Sequence, residues 1–375
     1  MSALPDVAII GAGVVGAACA MRLAQAGLRV VVLDASSPAG GATAAGMGHI
    51  VAMDDSPAQL ALTVLSRSLL HALADRLPRA VELEWCGTLW IATNEEELAE
   101  ARRKQALFAG QGIPTELLDD DALHEAEPAL RPGLAGALLV PDDGVLYQPQ
   151  LTRWCLEEAR RAGAELRLHL PVTAIGADGV ETAGGRVAAG RVLVAAGVDS
   201  AELLPGLAIV PRKGHLAVTA RRPGFVRHQL VELGYLQSAH TMSAASVAFN
   251  VQPRQTGQLL IGSSRELVGR DPAVNYVVLG QMLDRAIAFV PGLDSLDVLR
   301  VWTGFRPATA DKLPMIGPWP GLGNVWVAAG HEGLGITTAL GTAALVEAQM
   351  LGRELPLDAA PYRPDRLIPV AEPHG

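Results

Sequence analysis

The stretch that most limits what this chain can fold into lies at its start, where "DVAII" runs into "GAGVVG", then "AACAMRLAQAG", then "RVVVLDA". A short, wholly apolar run reads as a strand buried on both faces, and apolar residues at helical spacing up to Gly27 read as a helix. A second apolar run ends at Asp34, so the stretch predicts a βαβ unit. Each glycine of the turn has its own use. Gly11 permits the sharp bend, Gly13 lets backbone approach a pyrophosphate, and Gly16 lets the helix lie against the strand. The helix start, with Val14 and Val15, then offers unpaired N–H groups and a positive dipole end to an anion. Asp34, followed by Ala35, falls where a carboxylate meets ribose hydroxyls, which disfavours the 2′-phosphate of NADP. A dinucleotide site follows, and the spacing leaves FAD and NAD both open.

A chain of 375 residues suggests about two domains. Its net charge of −9 and pI near 5.5 argue against a nucleic-acid partner, because binders of phosphate backbones concentrate Lys and Arg on one face. Cys19, Cys86 and Cys155 are odd in number and widely spaced among apolar neighbours, which reads as buried thiols in a reducing compartment and not as a disulfide or metal framework. The apolar run at 7–21 follows Asp6, has no basic segment before it and is interrupted by glycine, unlike a secretory signal. At fifteen residues it is also shorter than the ~20 that span a bilayer. The expectation is a cytoplasmic protein.

Beyond Asp34, "SSPAGGATAAGMGHI" stands where an NAD domain continues with another helix and strand. Here the chain resembles the FAD-dependent D-amino acid oxidase superfamily, in the branch of glycine oxidase, the sarcosine oxidase β subunit and the D-hydroxyproline dehydrogenases. The resemblance implies an α/β fold: a Rossmann-like FAD-binding domain of the glutathione-reductase type, with an α+β substrate domain on a mixed or antiparallel sheet. It assigns 1–80, 142–211 and 301–375 to the FAD domain, and 81–141 and 212–300 to the substrate domain. It also implies that Thr43, Ala44, Ala45, Gly46 and Met47 run beside the cofactor.

The likeness continues through "CGTLWIATNEEELAEARR", similar to a strand and acidic-start helix, and "PDDGVLYQPQLTRWCLEEARRAGAEL", similar to the return into the FAD domain. "VTAIGAD" and "RVLVAAG" resemble segments near the adenine, bringing Val172, Ala196 and Gly197 to the cofactor. "HLAVTA", "SVAFNVQ" and "GQLLIGSS" read independently as strands of an antiparallel sheet. In "SVAFNVQ" alternation puts Ser246, Ala248, Asn250 and Gln252 on one face, which either lines a site or meets water.

In "VWTGFRPATADKLPMIG" the pattern around Gly304 and Arg306 resembles the family's substrate and flavin-edge motif, in which the arginine pairs with the substrate carboxylate. A guanidinium suits this because its planar fork gives two parallel bonds and keeps its proton. A structural bridge from Arg306 to Asp311 is the competing reading. The turn "GHEGLGIT", with Gly330, His331, Glu332, Gly333, Leu334, Gly335, Ile336 and Thr337, matches the family's second flavin contact, a helix N-terminus facing charge that collects on reduction. Glu332 reads as a carboxylate needing a cation, which a substrate ammonium supplies.

Departures matter too. Relatives of the glycine oxidase type carry a basic residue at the position of Gly333 and a tyrosine near Asn250, and covalent relatives a cysteine at Gly304. Their absence implies non-covalent FAD and room for a larger or cyclic amino acid, with D-hydroxyproline or D-proline first and glycine or sarcosine as the alternative. Arg306 would anchor the carboxylate, with Glu332, His49 or His331 orienting the amine; homo-oligomers are compatible. Only Lys104, Lys213 and Lys312 are lysines, each expected in solvent, and "GQLLIGSS" holds none where oxidase relatives place one over the flavin. That predicts a dehydrogenase passing electrons to an iron–sulfur or second flavin subunit, or through it to membrane quinone. A flavoprotein subunit without catalysis, or an NAD-dependent dehydrogenase, are the rival classes.

Overall fold

The structure, a computed structural model, describes residues 4–234 and 245–367. Its first sheet has six strands in the order Met315–Pro318, Val325–Ala329, Arg191–Val194, Val7–Ile10, Val30–Leu33, Glu165–Arg167, parallel except for the edge strand Met315–Pro318. Alternation within the two apolar runs explains their lack of polar residues. Val7, Ile9, Val30 and Val32 enter one core, where the helices Val14–Gln25, Gln148–Arg161 and Gly335–Leu351 pack; Ala8, Ile10, Val31 and Leu33 enter another on the opposite face. A parallel strand with helices on one side and further chain on the other has no face left for water. The three-stranded antiparallel sheet of 172–176, 179–182 and 185–188 covers part of that second face.

The second sheet has eight strands in the order Val298–Ala308, Val210–Thr219, Leu259–Glu266, Ala245–Pro253, Gln229–Glu232, Thr88–Ala92, Gly136–Val140, Glu116–Leu118. The sheet is mixed, because Gln229–Glu232 runs parallel to Thr88–Ala92 while its other described pairs are antiparallel. The helix Tyr276–Phe289, started by the Asn275 side chain accepting from Val277 N and Val278 N, packs Met282, Ala286 and Phe289 against Phe249 and Val251. The acidic-start helix forms at Glu95–Ala109, capped by Asn94.

Two expectations about side chains need correction. Lys104 and Lys213 are buried, not solvated. Lys104 shares the inner face of its helix with Ala101 and Phe108, pairs with Asp54 and sits 4.7 Å over the Trp90 ring. Lys213 donates to Ala273 O at 3.0 Å, with Glu266 at 3.6 Å. A buried ammonium is tolerable where carboxylates and carbonyls replace water. The three cysteines are free; Cys19 and Cys155 are buried, and Cys86 is partly exposed. Among the described residues no helix is long and apolar enough to cross a membrane.

Candidate active site

The two sheets meet at a cleft of about 600 Å³. At one end is the βαβ turn. Gly11 has φ +110°, and a Cβ there would lie 2.4 Å from Ala195 O; one on Gly16 would lie 2.0 Å from Gly11 O, so both glycines are required by close backbone packing. Asp34 accepts from Ala12 N at 2.6 Å and from Ser36 N at 2.7 Å, which fixes its carboxylate at the cleft wall with acceptor positions to spare. Thr43 reaches back to Val14 N at 3.1 Å, tying the 41–47 segment to the helix start.

That segment continues as a wall of the cleft. Gly304 abuts it so closely that a Cβ would fall 2.3 Å from Ala45 Cβ. Met47 O accepts from Gln252 Nε2 at 2.9 Å, and Thr337 Oγ1 donates to His49 O at 2.8 Å. The His49 ring is half-buried on the wall and held down to about pKa 4 by burial, with a smaller push downward from Arg306.

The floor comes from the eight-stranded sheet. Arg212 and Arg306 are register partners on neighbouring antiparallel strands. Between them Gly214 leaves the space that the Arg306 guanidinium fills: a Cβ on Gly214 would lie 2.3 Å from Arg306 Nη1. The same Nη1 donates to Ser264 O at 3.0 Å. Asp311, the alternative partner expected for Arg306, is held by Arg366 at 2.7 Å. Asn250, Arg265, Ser263, Gln229 and Trp90 complete this end.

Above the floor lies the "GHEGLG" turn, stitched down by Glu332 N donating to Pro307 O at 3.0 Å. Glu332 has φ +48° and its carboxylate accepts from Arg212 Nη1 at 2.7 Å, with both side chains mostly buried. The expectation of an acid awaiting an ammonium is corrected: a cation 120 residues earlier in the chain already neutralises it. His331 is also turned away. Its Nε2 bonds with Thr342 Oγ1 at 3.0 Å inside the following helix, and burial pushes its pKa down to about 3. Lys312, expected in solvent, borders the cleft with Asp55 at 3.9 Å.

Of the residues assigned from the sequence to the cofactor or to catalysis, Gly16, Ala44, Gly330 and Thr337 stand outside the cleft lining and the others are part of it. Sequence reasoning missed Arg212, Arg265, Gln229, Trp90 and Lys312. Strand parity offered the only signal for Arg212, which shares a face with Gly214 and Leu216.

The donor set suits a long anionic dinucleotide. The helices at Val14 and Gly335 both begin without a side-chain cap and without an acid in their first turn, and residues of both starts line the same cleft. One N-terminus fits a pyrophosphate and the other a ring system that gains negative charge, with Asp34 for the ribose.

The comparisons agree. Residues 6–349 match the family described as DAO: FAD dependent oxidoreductase. Glycine oxidase from Geobacillus kaustophilus is 32% identical over 97% of each chain, and the hydrogen cyanide synthase subunit HcnC from Pseudomonas aeruginosa 29% identical over 97% of this chain and 96% of that one. The crystal structure of the Geobacillus glycine oxidase superposes with a TM-score of 0.86 at 30% identity, over 96% of this chain and 98% of the other. With the cleft and these matches together, the chain belongs to the DAO family and is an FAD-dependent oxidoreductase.

Proposed function

We propose that the protein oxidises the Cα–N bond of a small α-amino acid to an imino acid. The observation that carries this is the Arg306 guanidinium, seated over Gly214 on the cleft floor, where its planar fork is presented to a carboxylate. Bound FAD supplies the acceptor for the hydrogen and electron pair that leave Cα. The residues that would hold it are the Gly11–Gly13 turn, Asp34, the 43–47 segment and the Gly333–Ile336 turn, and no cysteine stands at Gly304 to bind it covalently.

The chain's own part is positioning. Arg306 fixes the carboxylate end of the substrate and thereby the direction of the Cα–H bond. His49, neutral above about pH 4, accepts a hydrogen bond from the amine without adding a charge that would repel it. Glu332, already paired with Arg212, orients the turn and does not grip the substrate. Met47, Val51, Leu216 and Val231 give the walls apolar surface, which keeps water from competing for Arg306. The imino acid released is open to hydrolysis, and a cyclic one survives longer.

Two narrower readings divide the class. Gly333 places no bulk beside Arg306, since even a Cβ there would stay 3.6 Å from Nε, and this supports a ring such as D-proline or D-hydroxyproline. The relatives named glycine oxidase support glycine. The test is anaerobic mixing of the holoprotein with glycine, sarcosine, and both enantiomers of alanine, proline and hydroxyproline while following flavin absorbance. Bleaching by at least one supports the assignment; a flavin that no amino acid reduces would leave the reading as a non-catalytic subunit.

A further inference from the structure

Beyond Arg306 the cleft floor continues across four neighbouring strands, Leu259–Glu266, Ala245–Pro253, Gln229–Glu232 and Thr88–Ala92. Register decides which side chains share its face. Asn250, Val231 and Trp90 pair in one line across three of these strands, and all three line the cleft. Gln229, two residues before Val231, lies on the same face, and Ser263 adjoins Gly262, the register partner of Asn250. At about 4.8 Å per strand, the backbones of Ser263 and Trp90 stand roughly 14 Å apart. The near end of this line is tied to Arg306, whose Nη1 donates to the carbonyl of Ser264 at 3.0 Å.

Among the described residues, Ser263 Oγ, Asn250 Oδ1, Gln229 Oε1 and Trp90 Nε1 are buried without a hydrogen-bond partner, and none of these four residues is more than 9% exposed. Buried polar atoms are normally satisfied, and several unsatisfied ones along one stretch of a cleft mark the place of a ligand's polar group. Glycine and proline have no side-chain group to offer them. The members nearest Arg306, Ser263 and Asn250, are short, while Gln229 and Trp90, farther along, are long. Side chains of those lengths can close on one group set between them.

The atoms themselves say which group. The two amide oxygens only accept, the indole N–H only donates, and the serine hydroxyl does either. A carboxylate cannot donate to the two oxygens, an ammonium cannot accept from the indole, and a hydroxyl has a single proton. A primary carboxamide has two N–H donors and an oxygen with two lone pairs, which matches all four. We infer that the substrate is an α-amino acid with a carboxamide side chain, its NH2 shared between Gln229 and Asn250 and its oxygen accepting from Trp90 and Ser263. This rests on Arg306 holding the α-carboxylate, and the four residues set specificity beside it. Turning both amides over would present four donors and suit a carboxylate, so the acid is the decisive comparison.

The experiment uses two sets of near-isosteres on the holoenzyme: asparagine, aspartate and leucine, and glutamine, glutamate and methionine, both enantiomers of each, with glycine and proline as references. In the wild type the amide of at least one set is expected to exceed both its acid and its apolar analogue by roughly tenfold or more in kcat/KM, chiefly through KM, because the analogues leave buried atoms unpaired. In Gln229→Met that preference falls by about tenfold, as the side chain keeps its length and loses its acceptor. Binding of succinamate against succinate and 4-methylpentanoate, read from the perturbed flavin spectrum, gives the same comparison without turnover and applies to a slow variant. The inference is overturned if the apolar analogues serve as well as the amides, if the acids are preferred, or if Gln229→Met lowers every member of a set equally, which would leave Gln229 in the scaffold. Reduction by glycine or proline with no preference for amides sinks this inference alone. Failure of every amino acid removes the reading of Arg306 as well.

Discussion

Gly214→Ala tests the seat of Arg306 without touching Arg306. The backbone at 214 is not left-handed, so alanine brings no conformational strain of its own. Its Cβ, however, would stand 2.3 Å from Nη1 and 2.8 Å from Cζ and Nη2, where ordinary contact begins near 3.4 Å. The guanidinium must give way by about an ångström, because the far end of an arginine moves more easily than two paired strands. That shift breaks the 3.0 Å bond to Ser264 O and misaims the fork. A charge-assisted bond is worth roughly 1.5–3 kcal/mol, which corresponds to about a ten- to 150-fold loss in kcat/KM. Steady-state kinetics with a dye acceptor, alongside flavin content and a melting curve, separates the effects. We expect full FAD, a melting temperature within a few degrees of wild type, and the loss confined to turnover and carboxylate binding. Wild-type kcat/KM in a protein that keeps its flavin would refute the assignment of Arg306.

Four further outcomes are expected. Arg306→Lys should retain FAD and lose roughly ten-fold or more in kcat/KM, since an ammonium lacks the bidentate fork; unchanged kinetics contradicts the proposal. Glu332→Gln should act through stability, costing on the order of 2–4 kcal/mol because Arg212 loses its carboxylate at a mostly buried site; a variant that melts like wild type while its KM for the amine rises would restore Glu332 to the substrate. His331 stays neutral in the fold down to about pH 3, whereas the unfolded chain takes up a proton below about 6.5. Stability therefore falls as pH drops below about 6.5, by at most about 1.4 kcal/mol per unit from this group, and His331→Gln should flatten that slope in denaturant titrations, His49 contributing the rest. Finally, the strand Leu259–Glu266 carries no lysine, so stopped-flow mixing of substrate-reduced enzyme with air-saturated buffer should show reoxidation slower than by dyes. If it is fast, Lys312→Met should slow it, because Lys312 is the lysine that borders the cleft.

How far the sequence could be read depended on how local each feature is. The βαβ unit was legible because strand, turn, helix and acid lie within thirty residues, and each is set by local chemistry: apolar runs, glycines at fixed spacing, a carboxylate at a strand end. The helix starting at Gly335 and the acidic-start helix at Glu95–Ala109 were reached through the resemblance of their motifs. Arg306 stood out because a resemblance singled out its motif, and Asn250 because alternation along one strand put it on a polar face. Those determinations needed no knowledge of what lies across the cleft.

The tertiary structure decided what each charged group meets. Glu332 has no cation among its own neighbours in sequence, and Arg212 reaches it only because the strand Val210–Thr219 pairs with Val298–Ala308, whose Pro307 carbonyl holds the backbone of the "GHEGLG" turn. Lys104 and Lys213 looked solvated beside polar neighbours, yet one sits on the inner face of its helix and the other on the outward face of the floor strand, each against a carboxylate from a distant segment. Arg265 was silent for the same reason: parity gives a side chain one of two faces, and only the sheet order says which face is the cleft. Propensity and spacing are properties of neighbours along the chain, whereas the partner of a charge is set by packing between strands far apart in sequence.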